Sequence, residues 1–143
     1  MLASIQFERY YFSRIDFKYT PDSESVENKG LEFGHEVRYL DSDEIEVIVN
    51  CTMTDESGLL LQVTMHGFFK LEKDEESDPE EVALLCEKNT LAIMFPYLRS
   101  AVSDISLKAN TSPIILPTVN IVSLLENSKK IIAETEDSKV KDK

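Results

Sequence analysis

Apolar residues recur with period two through the first half of the chain, which is the spacing of strands with one buried face. Ile5, Phe7, Tyr11, Ile15 and Phe17 fall on odd positions, an alternation interrupted at Arg9 and Ser13. This predicts a long first strand over 5–17. The stretch from Pro21 to Gly30 collects Asp22, Ser23, Glu24, Ser25 and Asn28 and is expected to be a surface loop. In the next strand Leu31, Phe33, Val37 and Tyr39 share a face with His35, while Glu32, Glu36 and Arg38 point the other way. The third alternation has Ile45, Val47, Val49, Cys51 and Met53 on one side and Glu44, Glu46, Asn50 and Thr52 on the other. Asp55 to Gly58 has turn composition, and a fourth strand is expected from Leu59 to Leu71. Short connections make sequential pairing the default, so the reading is a four-stranded antiparallel meander.

The pattern then changes period. Residues 72–81 are an acidic stretch leading to a helix start, with Asp78 as N-cap, Pro79 in the first helical position and Glu81 completing a capping box. A short helix is expected over 82–89, with Pro96 forcing a kink or a fresh start. Beyond it Met94, Leu98, Ala101, Val102 and Ile105 recur at intervals of three and four, leaving Arg99, Ser103, Asp104 and Lys108 for the opposite side. Pro113 and Pro117 argue that 113–119 is an extended crossing loop rather than a sheet strand. Asn120 is placed as the cap of a last helix striped by Ile121, Leu124, Leu125, Ile131 and Ile132. The organisation is a single α+β domain over 1–133, helices packed on one side of the sheet, followed by a flexible charged tail over 134–143.

Composition narrows the function. The 143 residues carry 27 acids against 15 bases, a net charge of −12, which repels nucleic-acid phosphates and anionic membrane surfaces. Charged Glu8 and Arg9 precede any long apolar run, so a signal-peptide layout is not expected and the chain is assigned to the cytoplasm. Cys51 and Cys86 sit in apolar patterns and are expected to be buried thiols in a reducing compartment. His35 and His66 stand on separate strands without metal-ligand spacing. The acidic run lacks the oxygen spacing of a calcium loop, and four glycines leave little room for a phosphate loop or nucleophile elbow. The chain is therefore read as not an enzyme and as needing no cofactor.

Several segments, in their order and spacing, resemble the SecB family of export chaperones. Ile5-Gln6-Phe7-Glu8-Arg9-Tyr10-Tyr11 with Ile15-Asp16-Phe17 looks like the family's first strand, and Glu36-Val37-Arg38-Tyr39 like the start of the second. Gly67-Phe68-Phe69 fits a strand end. Phe95-Pro96-Tyr97-Leu98-Arg99 and Pro113-Ile114-Ile115-Leu116-Pro117-Thr118-Val119-Asn120 are similar to the family's Phe-Pro-Tyr-x-Arg helix and its Pro-Val-Asn lead-in to the second helix. The resemblance covers about 5–125.

That resemblance implies a SecB-like fold, a homotetramer built as a dimer of dimers, and ATP-independent holding of unfolded or precursor polypeptides in apolar grooves. By analogy the groove would use Val37, Tyr39, Leu116, Val119, Ile121, Leu124 and Leu125. The motor SecA docks, in the family, on acids of the first and fourth strands; those positions here read Arg14, Lys18 and Gln62. The tail, with Lys129, Lys130, Lys139, Lys141 and Lys143, also departs from an acidic one, so SecA binding is doubtful. The expected role is a holdase for export or for a dedicated client such as an antitoxin. The alternative is a structural or small-ligand-binding oligomer on the same fold.

Overall fold

The computed structural model describes residues 3–21, 30–41, 43–55, 58–74, 76–111, 114 and 116. The four strands are β1 (Ala3–Tyr19), β2 (Gly30–Tyr39), β3 (Glu44–Thr54) and β4 (Leu59–Lys73), followed by one helix, α1 (Pro79–Lys108). All neighbouring strands are antiparallel, but the order is β1-β4-β3-β2, not a meander. β2, β3 and β4 do form sequential hairpins, while β1 lies against β4 over its whole length. This is Greek-key connectivity. The inner side chains of β4 explain it. Leu59, Leu61, Val63, Met65, Phe69 and Leu71 are all buried, and a strand so apolar needs a neighbour on each edge. β2, which carries His35 inward and leaves Tyr39 57% exposed, suits an edge instead.

β1 also places its side chains differently from the simple alternation. Its 17 residues lie opposite 15 of β4, and the difference is two bulges, between Phe7 and Arg9 and between Phe12 and Arg14. Each bulge shifts the parity by one. The register therefore puts Ile5, Phe7, Tyr10, Phe12, Ile15 and Phe17 on the inner side, and Tyr11 joins Arg9, Arg14 and Lys18 on the outer side. Gly58 closes the β3–β4 hairpin at φ 93°, a conformation that favours glycine, with Asp55 Oδ1 accepting from the Leu59 N–H at 3.3 Å.

Pro96 does not divide α1. Asp78 caps the helix by accepting from the Glu80 N–H, Pro79 opens it, and it then runs for 30 residues. An internal proline removes one helical hydrogen bond and costs about 3 kcal/mol. Burial on both sides of it offsets that cost: Val82, Cys86, Thr90, Met94, Leu98, Val102 and Ser106 are all buried. These residues are spaced by four throughout, so the row drifts by about 40° per step around a helix of 3.6 residues per turn. The buried stripe winds around α1. Its first part lies on the sheet, and its end is met by the segment at Ile114 and Leu116, which are 6% and 1% exposed. Ser106 Oγ accepts from the Ile114 N–H at 2.9 Å and Ser103 Oγ donates to the Ile114 carbonyl at 2.9 Å, so Ser103 faces a partner rather than open solvent.

α1 is closely seated over β4 at Gly67. A Cβ on Gly67 would fall 2.8 Å from Met94 Sδ, so the absence of a side chain there lets the helix approach the sheet. Both cysteines are free and buried. Burial pushes the Cys51 thiol up to about 11 and raises that of Cys86 as well.

Candidate functional site

Two surfaces result, a trough on the helix side and an open outer sheet face. The trough runs between β2 and α1. β2 is an edge strand, and its inward side chains at this end are His35, Val37 and Tyr39. They meet Ala83 and Glu87 of α1 around a cavity of about 300 Å³ that Glu36 also lines. Val37 is half-buried against the core and Tyr39 is open to solvent. Burial, followed by the proximity of Cys86 and Glu87, raises the Tyr39 hydroxyl above its ordinary value. A second cavity of about 370 Å³ lies on the β1 side of α1, lined by Ile5, Leu85, Cys86 and Ile93 among others.

One polar bridge crosses the trough. His35 Nε2 lies 2.6 Å from Glu87 Oε1, and the His35 side chain is 3% exposed. With the carboxylate accepting from Nε2–H, Nδ1 is left buried without a hydrogen-bond partner among the described residues. Beside it Phe33 packs on Phe95 with ring centroids 5.8 Å apart. The sequence carried a signal for the bridge: a histidine on the apolar face of a strand must find a partner on whatever covers that face.

The outer sheet face is covered by no described element. Arg14, Lys18 and Gln62 do come together on it, since Arg14 lies opposite Thr64, Asp16 opposite Gln62 and Lys18 opposite Leu60. Arg14 pairs with Asp16 at 3.2 Å, and both are well exposed. Toward the middle, Arg9 sits 3.8 Å over the Phe68 ring and Tyr11 stacks on His66 at 4.6 Å. His66 Nδ1 is 2.9 Å from Glu46 Oε2, and His66 Nε2 is 2.8 Å from Ser13 Oγ. Arg38 approaches the other oxygen of Glu46 at 3.8 Å. This network across all four strands was not foreseen, because the bulge that turns Ser13 outward is invisible to a period-two reading.

Of the groove positions expected from sequence, Val37 and Tyr39 line the trough and Leu116 is fully buried in the core. Val119, Ile121, Leu124 and Leu125, the last helix and the tail lie outside the described residues. Among the described residues no helix is long and apolar enough to cross a membrane, and no cluster of metal-ligating side chains is present.

A four-stranded antiparallel sheet in this order, with one long helix across one face and the other face open, is the SecB fold. A SecB-like chaperone of Mycobacterium tuberculosis, Rv1957, solved with a ChAD peptide from the HigA1 antitoxin, superposes with a TM-score of 0.65 at 16% identity, over 81% of this chain and 90% of that one. A Streptococcus agalactiae protein of unknown function superposes at a TM-score of 0.59 and 7% identity, over 82% and 100%. In sequence, the uncharacterized protein MJ0357 of Methanocaldococcus jannaschii is 26% identical, over 92% of this chain and 89% of its own length. The protein-export protein SecB of Nitrosospira multiformis is 33% identical, over 69% of this chain and 61% of its own. The family model for preprotein translocase subunit SecB matches residues 25–131. The chain belongs to the SecB family.

Proposed function

We propose that the protein is an ATP-independent holdase that binds unfolded or precursor polypeptides in the trough between β2 and α1. The observation that carries this reading is the open trough itself. An edge strand presents unpaired backbone groups beside apolar Val37 and Ala83 and an exposed Tyr39, so an extended chain of almost any sequence finds both hydrogen bonds and apolar contact there. Family membership supports it, and the fold neighbour solved with an antitoxin peptide supports a dedicated client of that kind.

The working form is a cytoplasmic homotetramer, a dimer of dimers. Delivery to SecA is not part of its action: Arg14 and Lys18 stand where an acidic dock would be needed, and charge reversal at such a dock lowers both affinity and association rate. The test is suppression of aggregation of a chemically unfolded client, with light scattering to fix the oligomer and SecA added in a second arm. Suppression that is lost in Tyr39→Asp and unaffected by SecA is the expected result. No suppression by the folded wild-type chain, or SecA binding at submicromolar affinity, would overturn the corresponding half of the proposal.

A further inference from the structure

The outer-face network contains chemistry that holding a client does not use. Ser13, His66 and Glu46 form a hydroxyl–imidazole–carboxylate line at 2.8 and 2.9 Å, drawn from three adjacent strands. Glu46 is only 8% exposed, and an ionised carboxylate is acceptor-only, so it takes the Nδ1–H of His66 and leaves Nε2 free to accept the Ser13 hydroxyl proton. Tyr11 lies flat on the imidazole, its plane within 8° of parallel, which fixes the ring and favours it when it becomes a cation. Arg38 holds the second oxygen of Glu46 at 3.8 Å. These are the roles of nucleophile, base and orienting carboxylate in serine acyl transfer.

The position of Ser13 adds to this. It is the extra residue of the second bulge and has no register partner in β4. A bulge interrupts the ladder locally and re-aims its side chain, and here it sets the Ser13 hydroxyl against His66 on the outer face. The side chain is exposed and approachable from solvent, and both described cavities lie on the opposite side of the sheet. An open surface of this kind suits small reagents.

We propose that Ser13 is an activated nucleophile that accepts acyl groups from small activated carboxylic esters. Ser13 Oγ bonds to the ester carbonyl carbon as its proton passes to His66 Nε2. The bond from that carbon to the leaving oxygen then breaks, and the leaving alcohol carries away the proton from the imidazolium. The product is acyl-Ser13. Glu46 acts as a positioning residue through His66.

The probe is p-nitrophenyl acetate on the full chain, followed by nitrophenolate release and by mass spectrometry of intact protein and peptides. One acetyl group per chain on Ser13 is expected. Ser13→Ala should abolish that modification while leaving aggregation suppression unchanged, and His66→Gln should slow it by about 10²-fold or more, the usual worth of a general base. An unchanged circular dichroism spectrum and urea midpoint in His66→Gln guard against that variant acting by misfolding. Glu46→Gln should lower the rate and shift the pH of half-maximal acylation, whereas a merely structural carboxylate would leave that pH in place. Acetyl groups confined to lysines, or release at an unchanged rate in Ser13→Ala, would overturn the proposal without touching the holdase reading.

Discussion

Replacing Gly67 with alanine tests how tightly α1 is seated on the sheet. The added methyl would lie 2.8 Å from Met94 Sδ and 3.1 Å from both Met94 Cε and Phe69 Cε1. Nonbonded carbons prefer about 3.5–4.0 Å, so the three contacts are short by roughly 0.4–1.2 Å. Met94 and Phe69 are 1% and 0% exposed, so neither can yield by swinging into solvent. Overpacking of this kind costs about 1–3 kcal/mol. Restricting the unfolded chain returns about 0.4–1 kcal/mol, leaving a net loss of about 1–2 kcal/mol. Urea unfolding followed by circular dichroism, at one fixed chain concentration, reads this as a lower midpoint. The decisive arm is the same substitution on a Met94→Ala background. That change alone should cost about 2–5 kcal/mol, but it removes two of the three obstructing atoms. There Gly67→Ala should be close to neutral. An equal penalty in both backgrounds, with coupling below about 0.5 kcal/mol, would refute the argument that this glycine sets the helix-to-sheet distance.

Other substitutions probe the remaining supports. Ser106→Ala leaves the buried Ile114 N–H unpartnered and should cost about 1–3 kcal/mol in urea unfolding, whereas exposed Ser100→Ala should cost almost nothing. Glu87→Ala removes the partner of His35 Nε2 from a side chain that is 3% exposed, and should lower the unfolding midpoint by a similar free energy. Cys51 ionises near 9 when unfolded and at about 11 when folded, so its contribution is fully present below pH 9 and is lost as pH rises toward 11. Stability followed by thermal melts should fall across that window, by up to about 1.4 kcal/mol per pH unit, and Cys51→Ala should flatten the decline.

The strands were legible because a half-buried sheet writes its two faces into alternate residues. β2 and β3 begin and end within a residue or two of where Leu31 to Tyr39 and Glu44 to Met53 alternate. What escaped were features set by neighbours. The inward turn of Tyr10 and Phe12 depends on two bulges, and these exist because β1 must match a shorter partner. The pairing of β1 with β4 reflects a competition among strands for the most apolar neighbour, which no local window contains. Pro96 reads locally as a breaker, and only the burial of Met94, Leu98 and Val102 against the rest of the fold keeps the helix continuous. At the trough, Val37 and Tyr39 followed from resemblance, while the His35–Glu87 bridge joins residues 52 apart in sequence and needed the fold to bring them together.

The strand order also sets a timetable. β1 leaves the ribosome before the other three strands, yet its partners run from Leu59 opposite Tyr19 to Lys73 opposite Ala3. At about 5–20 residues per second, the 54 residues between Tyr19 and Lys73 take roughly 3–11 s to make. For that interval β1 waits with its aromatic inner face and both edges uncovered. On a polysome the β4 of a neighbouring nascent chain can emerge within reach during the same seconds, so slow translation across 59–73 lengthens the period in which strand exchange between chains competes with folding within one.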